Sequence, residues 1–183
     1  GRQAMKVFKP SGKSAEAVEK DVAADLDEAI VLSRMEHPNI IRVFDANLTE
    51  TSEGICGFFT MELLGVTLEE WWGGFGDRTF APVEDSVDIM CQVCRGLAVA
   101  HDEVPPIIHR DIKPPNVLLG RERGRLRARV SDFGLAKRVN ALTLMASSKG
   151  TRCFKPPEVF LKCSGDSRAT DVWAIGTTLY LLL

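Results

Sequence analysis

Apolar residues in the first third of the chain switch between the period of a strand and the period of a helix. Residues 3–9 predict a short strand, whereas residues 15–36 carry apolar side chains at helical spacing. This helix is expected to stop at His37-Pro38-Asn39, because proline disfavours a helical conformation in the residue before it. Two further apolar runs, 40–48 and 55–64, flank a polar turn and therefore predict a β-hairpin.

The rest of the chain has a mostly helical pattern. Residues 83–101 are the longest helix candidate. The residues expected on its inner side are Val87, Met90, Cys91, Cys94, Leu97 and Ala98. Residues 117–119 and 126–131 predict a second hairpin, and a further helix is expected from Asp171 onward. The change from a strand–helix–strand pattern to a mostly helical one predicts two lobes, with a boundary near residues 62–65.

The second hairpin carries arginine at every second position, which would place these residues on one face of an extended strand. They are Arg121, Arg123, Arg125, Arg127 and Arg129. Two interpretations stay open, a basic docking strip and an ordinary solvated hairpin.

Composition limits the classes of function. The 183 residues have room for one ordinary domain or two small lobes, and 45% hydrophobic with 26% charged residues is typical of a globular protein. A net charge of −2 gives no reason to expect a nucleic-acid or membrane-surface partner. No apolar segment is long enough to cross a bilayer, and a cytoplasmic location is predicted.

The five cysteines, an odd number, do not predict a disulfide framework. Cys91 and Cys94 have the spacing of half a zinc site, but they lie within the apolar pattern of the predicted helix. They are therefore expected to be core thiols rather than metal ligands. This cysteine usage is typical of a reducing compartment.

One segment, residues 109–119, brings together the side chains that phosphoryl transfer requires. Asp111 can accept a proton, Lys113 can neutralise a phosphate oxygen, and Asn116 can bind a divalent metal through its amide oxygen. Asp132 follows and supplies a second carboxylate. Phosphoryl transfer depends on positioning and on neutralising charge, and these residue types can do both.

This segment closely resembles the catalytic loop of the protein kinase family, and Asp132-Phe133-Gly134 resembles the start of the family's activation segment. The resemblance implies that Asp111 is the catalytic base, that Lys113 neutralises the transferred phosphoryl group, and that Asn116 and Asp132 hold Mg²⁺. Lysine at position 113 favours serine or threonine as acceptor. The implied activity is therefore that of a protein serine/threonine kinase, which transfers the γ-phosphoryl of Mg·ATP to a protein substrate.

The resemblance also implies a nucleotide-binding lysine in the first lobe. Lys6, in the strand segment Ala4-Met5-Lys6-Val7, would bind phosphates while held by an ion pair with Glu28 on the following helix. The competing acidic residues on that helix are Glu16, Glu19 and Asp27.

The segment Met61-Glu62-Leu63-Leu64 resembles the hinge of the family. The backbone of Glu62 and Leu64 would bind the adenine edge, with Met61 as gatekeeper, although a plain strand end is the alternative. Ala4 and Leu118 resemble the apolar residues that sandwich the adenine ring, and both are also compatible with ordinary core positions.

Residues 132–158 resemble an activation segment, within which Thr151 would contact the catalytic loop and belong to the catalytic set. Phosphorylation of Ser147 or Ser148, by an activating kinase or by autophosphorylation, would add a charge that pairs with Arg110 and orders the segment. Asp171 resembles the buried aspartate that anchors the backbone of the catalytic loop.

The expected fold is α+β, a two-lobed protein-kinase-like fold that is incomplete. Residues 1–64 would form a partial first lobe and residues 65–183 a partial second lobe, without the first two strands, their glycine-rich loop and the last helices. One rival is a catalytically silent kinase-like scaffold that lacks the glycine-rich loop. Another is a small-molecule phosphotransferase, against which the peptide-holding activation segment argues.

Overall fold

The computed structural model describes residues 2–7, 30, 32–52, 54–76, 80–133, 137–138, 152–161 and 167–183. Within these, the chain forms two compact units. The first consists of residues 1–36 and 41–63, and the second of residues 37–40 and 64–183. The division into folding domains at residues 1–64 and 65–183 stays a prediction.

The first unit contains a three-stranded antiparallel sheet in the order β1-β3-β2. Its strands are β1 (Gln3–Val7), β2 (Val43–Thr51) and β3 (Gly54–Glu62). The pairing of β2 with β3 shifts register between Val43 and Asp45. The predicted first strand and first hairpin are confirmed, with ends shifted by a few residues. Of the predicted helix over 15–36, only residues 30 and 32–36 are described: residues 30 and 32–34 are helical, whereas residues 35 and 36 are not.

The second unit combines short sheets with helices. Its strands are β4 (Val66–Thr67), β5 (Ile107–Ile108), β6 (Val117–Glu122), β7 (Arg125–Val130) and β8 (Lys137–Arg138), arranged as β4-β6-β7 and β5-β8. Its helices are α1 (Leu68–Gly73), α2 (Val83–Asp102), α3 (Pro157–Phe160) and α4 (Arg168–Leu182). The predicted long helix, second hairpin and terminal helix are therefore confirmed.

Helix α2 buries a different face from the predicted one. Its buried residues are Ser86, Ile89, Met90, Gln92, Val93, Gly96, Leu97 and Ala100, so that only Met90 and Leu97 of the predicted set are right. The physical reason is a polar contact on the inner side. The Gln92 side chain bonds to the backbone of β7, and Gly96 admits the backbone of Asn39, whose carbonyl oxygen lies 2.6 Å from an added Cβ.

The prediction that Cys91 and Cys94 are core thiols is wrong, because both residues are exposed and free on this helix. Partial burial and the neighbouring Cys91 raise the pKa of the Cys94 thiol. Among the described residues no group of three or more histidine, cysteine or acidic side chains is arranged to hold a metal. The spacing of Cys91 and Cys94 therefore does not mark a zinc site in the part of the chain that is described.

The predicted single face of five arginines is also wrong. The chain reverses at Arg123 and Gly124, which both have positive φ angles (50° and 80°), the requirement for a two-residue hairpin turn. Arg121 lies opposite Leu126, whereas Arg127 lies opposite Gly120, so that Arg121 and Arg127 point to opposite faces of the sheet.

Candidate active site

A carboxylate, an ammonium and an amide meet on the loop between β5 and β6. Lys113 Nζ lies 2.7 Å from Asp111 Oδ2, and Asn116 Nδ2 donates to the Asp111 carbonyl oxygen at 2.8 Å and to Asp111 Oδ2 at 3.2 Å. Between them the side chain of Ile112 is fully buried and holds the loop against the core. Asp111 and Lys113 keep partial exposure, so both side chains are accessible to a reactant.

Asn116 ends a 3-10 turn over Pro114–Asn116 that leads directly into β6. The two prolines fix φ near the helical value and make the turn rigid. The Asn116 residue is only 5% exposed. Because its amide nitrogen donates to Asp111, its amide oxygen is the atom that remains to accept from a donor or bind a cation.

Ser131 connects this loop to Asp132. Its backbone N–H donates to the Asn116 carbonyl oxygen at 2.9 Å, and its hydroxyl donates to the same oxygen at 3.1 Å. Asp132, the next residue, has a φ of 63°, in the left-handed region that non-glycine residues rarely adopt. The β6–β7 hairpin therefore brings Asn116 and Asp132 to the same end of one sheet.

His109 lies beneath this site as a buried, neutral ring. The Asp111 N–H donates to His109 Nδ1 at 3.3 Å, so the ring proton is on Nε2, which donates to the Ser131 carbonyl oxygen at 2.9 Å. Burial lowers the pKa of His109, and this effect outweighs the three carboxylates that act in the opposite direction, those of Asp171, Asp132 and Asp111. The ring also packs against Phe133, with centroids 4.5 Å apart.

Asp171 anchors the backbone of the loop, as predicted. Its carboxylate is fully buried and accepts the N–H of His109 at 2.9 Å and the N–H of Arg110 at 2.8 Å. Arg110, whose N–H makes the second bond, has a φ of 75°. Helix α4, whose N-terminus is closed by a capping box between Ser167 and Thr170, presents Asp171 in its first turn.

Two contacts around the site were missed from the sequence. His101 Nε2 lies 2.8 Å from Asp171 Oδ2, and the Arg168 guanidinium donates to the His101 carbonyl oxygen. They join the last turn of α2 to the first turn of α4. Seventy positions separate His101 from Asp171, so no local pattern indicates the pair.

The proposed nucleotide-binding residues of the first unit lie on its central strand pairing. Ala4 is the register partner of Met61, and Lys6, on the same less exposed side of β1, has its Nζ 5.6 Å from the centre of the Phe59 ring. The Glu62 carboxylate accepts the Arg42 N–H at 2.9 Å. These positions are compatible with the predicted roles, which stay predictions.

Further predicted residues belong to the second unit or are not described. Leu64 lies close to Gly120 on β6, since an added Cβ at Gly120 would meet Leu64 Cδ2 at 2.9 Å, and Leu118 lies on β6 itself. The residues outside the described part of the chain are Glu28, Ser147, Ser148 and Thr151.

Comparison with known proteins decides the family. The sequence-family model for the protein kinase domain matches residues 2–183 of this chain. The chain belongs to the protein kinase family. The predicted resemblance and the α+β kinase-type fold are thereby confirmed.

The curated relatives of this kinase domain include several serine/threonine kinases. Myosin light chain kinase A of Dictyostelium discoideum is 30% identical over 182 residues, which cover 100% of this chain and 57% of the relative. Calcium/calmodulin-dependent protein kinase type II of Caenorhabditis elegans is 33% identical over 156 residues, covering 85% of this chain and 20% of the relative. Serine/threonine-protein kinase PknB of Mycobacterium leprae is 31% identical over 160 residues, covering 85% of this chain and 24% of the relative. The kinase domain spans 57% or less of the length of these three relatives.

In the described part of the kinase domain, no helix has both the length and the apolarity that crossing a bilayer requires.

Proposed function

We propose that this chain carries the catalytic apparatus of a protein serine/threonine kinase, which transfers the γ-phosphoryl of Mg·ATP to a hydroxyl group of a protein substrate. The observation that carries the proposal is the joining of Asp111, Lys113 and Asn116 by short contacts on one partly exposed loop. The family and its serine/threonine-directed relatives support the same reaction.

Asp111 is the proposed base. Its carboxylate would orient the substrate hydroxyl and accept its proton, which requires a partly exposed acceptor on a rigid support. The support is the backbone anchoring of residues 109 and 110 by Asp171. Lys113, already paired with Asp111 Oδ2, would turn its ammonium toward the transferred phosphoryl group and offset its charge.

Asn116 and Asp132 are the proposed cation ligands, since amide and carboxylate oxygens suit a hard divalent ion. Asn116 fits this role, because its amide nitrogen is bonded to Asp111 and its oxygen remains for the ion. A bound Mg²⁺ would neutralise the phosphate oxygens of the nucleotide.

The remaining assignments are part of the same proposal. The nucleotide contacts are proposed for Ala4, Lys6, Glu28, Met61, Glu62, Leu64 and Leu118, the peptide contact for Thr151, and activating phosphorylation for Ser147 or Ser148. A cytoplasmic location is proposed on the free, exposed thiols of Cys91 and Cys94, which favour a reducing compartment.

The test compares phosphate transfer and nucleotide binding in matched variants of the chain. Asp111→Asn is expected to lower transfer from radiolabelled ATP to serine and threonine peptides by about a hundredfold to ten-thousandfold, the usual contribution of a general base. It should leave the stabilisation by Mg·ATP in thermal unfolding unchanged. Asn116→Ala and Asp132→Asn should weaken that stabilisation, because they remove metal ligands.

The control variant is Asp88→Asn, the same chemical change on an exposed position of α2. It is expected to retain both activities. Parent-level transfer by Asp111→Asn would contradict the proposed base. Absence of Mg·ATP-dependent stabilisation in the parent would instead favour the silent kinase-like scaffold.

A further inference from the structure

The β6–β7 hairpin concentrates positive charge on an otherwise slightly acidic chain. Residues 120–130, which we call the arginine hairpin, contain five arginines and one glutamate, whereas the whole chain has a net charge of −2. Arg121, Arg123 and Arg125 are exposed, and Arg127 and Arg129 are partly exposed. None of these arginines belongs to the proposed catalytic or nucleotide-binding set, so phosphoryl transfer gives no reason for this accumulation.

One face of the arginine hairpin already holds a carboxylate. Arg125, Arg127 and Arg129 alternate along β7 and therefore share a face, and Glu122 lies on the same face because it is the register partner of Arg125. The Glu122 carboxylate accepts from Arg127 Nε at 3.1 Å and from Arg129 at 2.7 Å. Two guanidinium groups thus converge on one carboxylate position.

The residue at the hairpin tip adds to the same charge. Arg123 has a φ of 50°, in the left-handed region where asparagine, aspartate or glycine is the usual choice. The exposed Arg123 places a further positive charge at the end of the hairpin.

The outer edge of β7 is covered by side chains of the same unit. Gln92 accepts the Ala128 N–H at 3.0 Å and donates to the Leu126 carbonyl at 3.2 Å, while Asn39 donates to the Ala128 carbonyl at 2.9 Å. A partner therefore cannot add a strand at these positions, as peptides do at open sheet edges. Recognition at the arginine hairpin has to use its side chains.

We propose that the arginine hairpin is a docking surface for an acidic peptide segment of a protein partner, whose carboxylates replace that of Glu122 between Arg127 and Arg129. Strand β7 has six residues, about 20 Å when extended, which matches a peptide of similar length. Alternate residues of an extended peptide repeat every ~6.8 Å, the spacing of the arginines along β7.

The charge balance favours a peptide over a nucleic acid. A nucleic acid presents a long row of phosphates, and the net negative charge of the chain outside the hairpin would repel those that extend past it. A short acidic peptide contacts the hairpin alone. This inference does not depend on phosphoryl transfer, and its test requires no catalytic activity.

The test is a fluorescence-anisotropy titration of the chain with a labelled peptide that alternates glutamate and threonine over six residues. The parent is expected to bind this peptide and not its glutamine counterpart, with affinity that falls as salt rises. The double change Arg125→Gln and Arg127→Gln should weaken binding about tenfold or more, because it removes one of the two guanidinium groups around the carboxylate position and a second positive charge on the same face. The control Arg95→Gln, an exposed arginine on α2, should bind like the parent.

Glu122→Gln provides the opposite change. It removes the competing carboxylate and keeps the side-chain volume, so affinity for the acidic peptide should rise about threefold to tenfold. Equal affinity of the parent and the double arginine variant would overturn the proposal, as would unchanged or weaker binding by Glu122→Gln. Tighter binding of a single-stranded oligonucleotide of equal charge would overturn the choice of a peptide partner.

Discussion

The rigidity of the proposed catalytic loop should depend strongly on Asp171. Its carboxylate is fully buried and accepts the backbone N–H groups of His109 and Arg110, with His101 Nε2 at 2.8 Å. The variant Asp171→Asn keeps the shape of the side chain. However, its amide has one oxygen and one NH₂ group, so at least one of the two backbone N–H groups then faces a donor.

The expected cost follows from these contacts. A hydrogen bond to a charged group contributes about 1.5–3 kcal/mol, and a buried N–H left without an acceptor costs about 1–3 kcal/mol. Loss of one hydrogen bond to the carboxylate, together with one buried N–H left without an acceptor, should lower the free energy of unfolding by about 2.5–6 kcal/mol. Since a typical domain has a total of about 5–15 kcal/mol, this loss would be a large share of the stability.

Two measurements check this prediction. Urea unfolding followed by tryptophan fluorescence gives the change in the free energy of unfolding, and hydrogen–deuterium exchange over residues 107–111 reports on the loop itself. In Asp171→Asn the amides of His109 and Arg110 should exchange faster than in the parent. The matched control, Asp88→Asn, replaces an exposed carboxylate that accepts from Gln92 and should cost less than about 0.5 kcal/mol. A loss below about 1 kcal/mol in Asp171→Asn, with parent-like exchange of both amides, would refute the anchoring role.

Three further predictions concern the same unit. Gly96→Ala should destabilise the protein by about 1–3 kcal/mol, because its Cβ would lie 2.6 Å from the Asn39 carbonyl oxygen. Gly176→Ala in α4 should stabilise it by about 0.5–1 kcal/mol, because the added Cβ meets nothing within 4 Å. Urea midpoints that rank the two variants the other way would contradict this. Gln92→Leu should cost about 2–4 kcal/mol in the same assay, because it leaves buried backbone groups of β7 without partners, and a neutral result would show that the contacts contribute nothing. Burial holds the pKa of His109 below 6.5, so the unfolded chain binds more protons than the folded one just below that pH. Stability should therefore fall as pH drops below 6.5. His109→Phe should flatten this part of the pH profile of stability, and an unchanged slope would assign the dependence to other groups.

The grouping of side chains on the proposed catalytic loop could be predicted from the sequence because the proposed chemistry restricts its residue types. Phosphoryl transfer requires a base, a cation and metal-binding oxygens, and Asp111, Lys113 and Asn116 are arranged within six positions. The structure joins all three by contacts of 3.2 Å or less. A short segment with a chemical requirement therefore carries more information than a long segment with only an apolar pattern.

Helix α2 shows why the apolar pattern failed elsewhere. The helix was predicted correctly, but its predicted inner face is rotated by about one residue, roughly 100° on a helix of 3.6 residues per turn. Apolar residues such as Val87 are exposed, whereas the polar Gln92 is buried because it bonds to β7. Apolarity alone cannot identify an inner face that is built on a polar contact with a distant strand.

The arginine pattern failed for a local reason. Alternation places residues on one face only while the strand continues, and a turn at Arg123 and Gly124 interrupts it. Glycine at position 124 was the available signal for a two-residue hairpin. A two-residue turn at these positions is enough to assign Arg121 and Arg125 to different faces, because it makes Arg125 the partner of Glu122.

The register of the hairpin explains how its length can vary without disturbing the proposed metal-binding residues. Val117 pairs with Val130, so Asn116 and Ser131 are neighbours at the open end, whatever the number of pairs toward the turn. Adding one residue to each strand at the closed end moves the turn outward and leaves the bond between Ser131 and Asn116 in place. The end of the hairpin at Asn116 and Ser131 can therefore keep the geometry that the proposed catalysis requires. The end at the turn, with its arginines, can take a different role. Inserting one cross-strand pair next to the turn should consequently leave Mg·ATP-dependent stabilisation unchanged, and a loss of that stabilisation would show that the two ends are not independent.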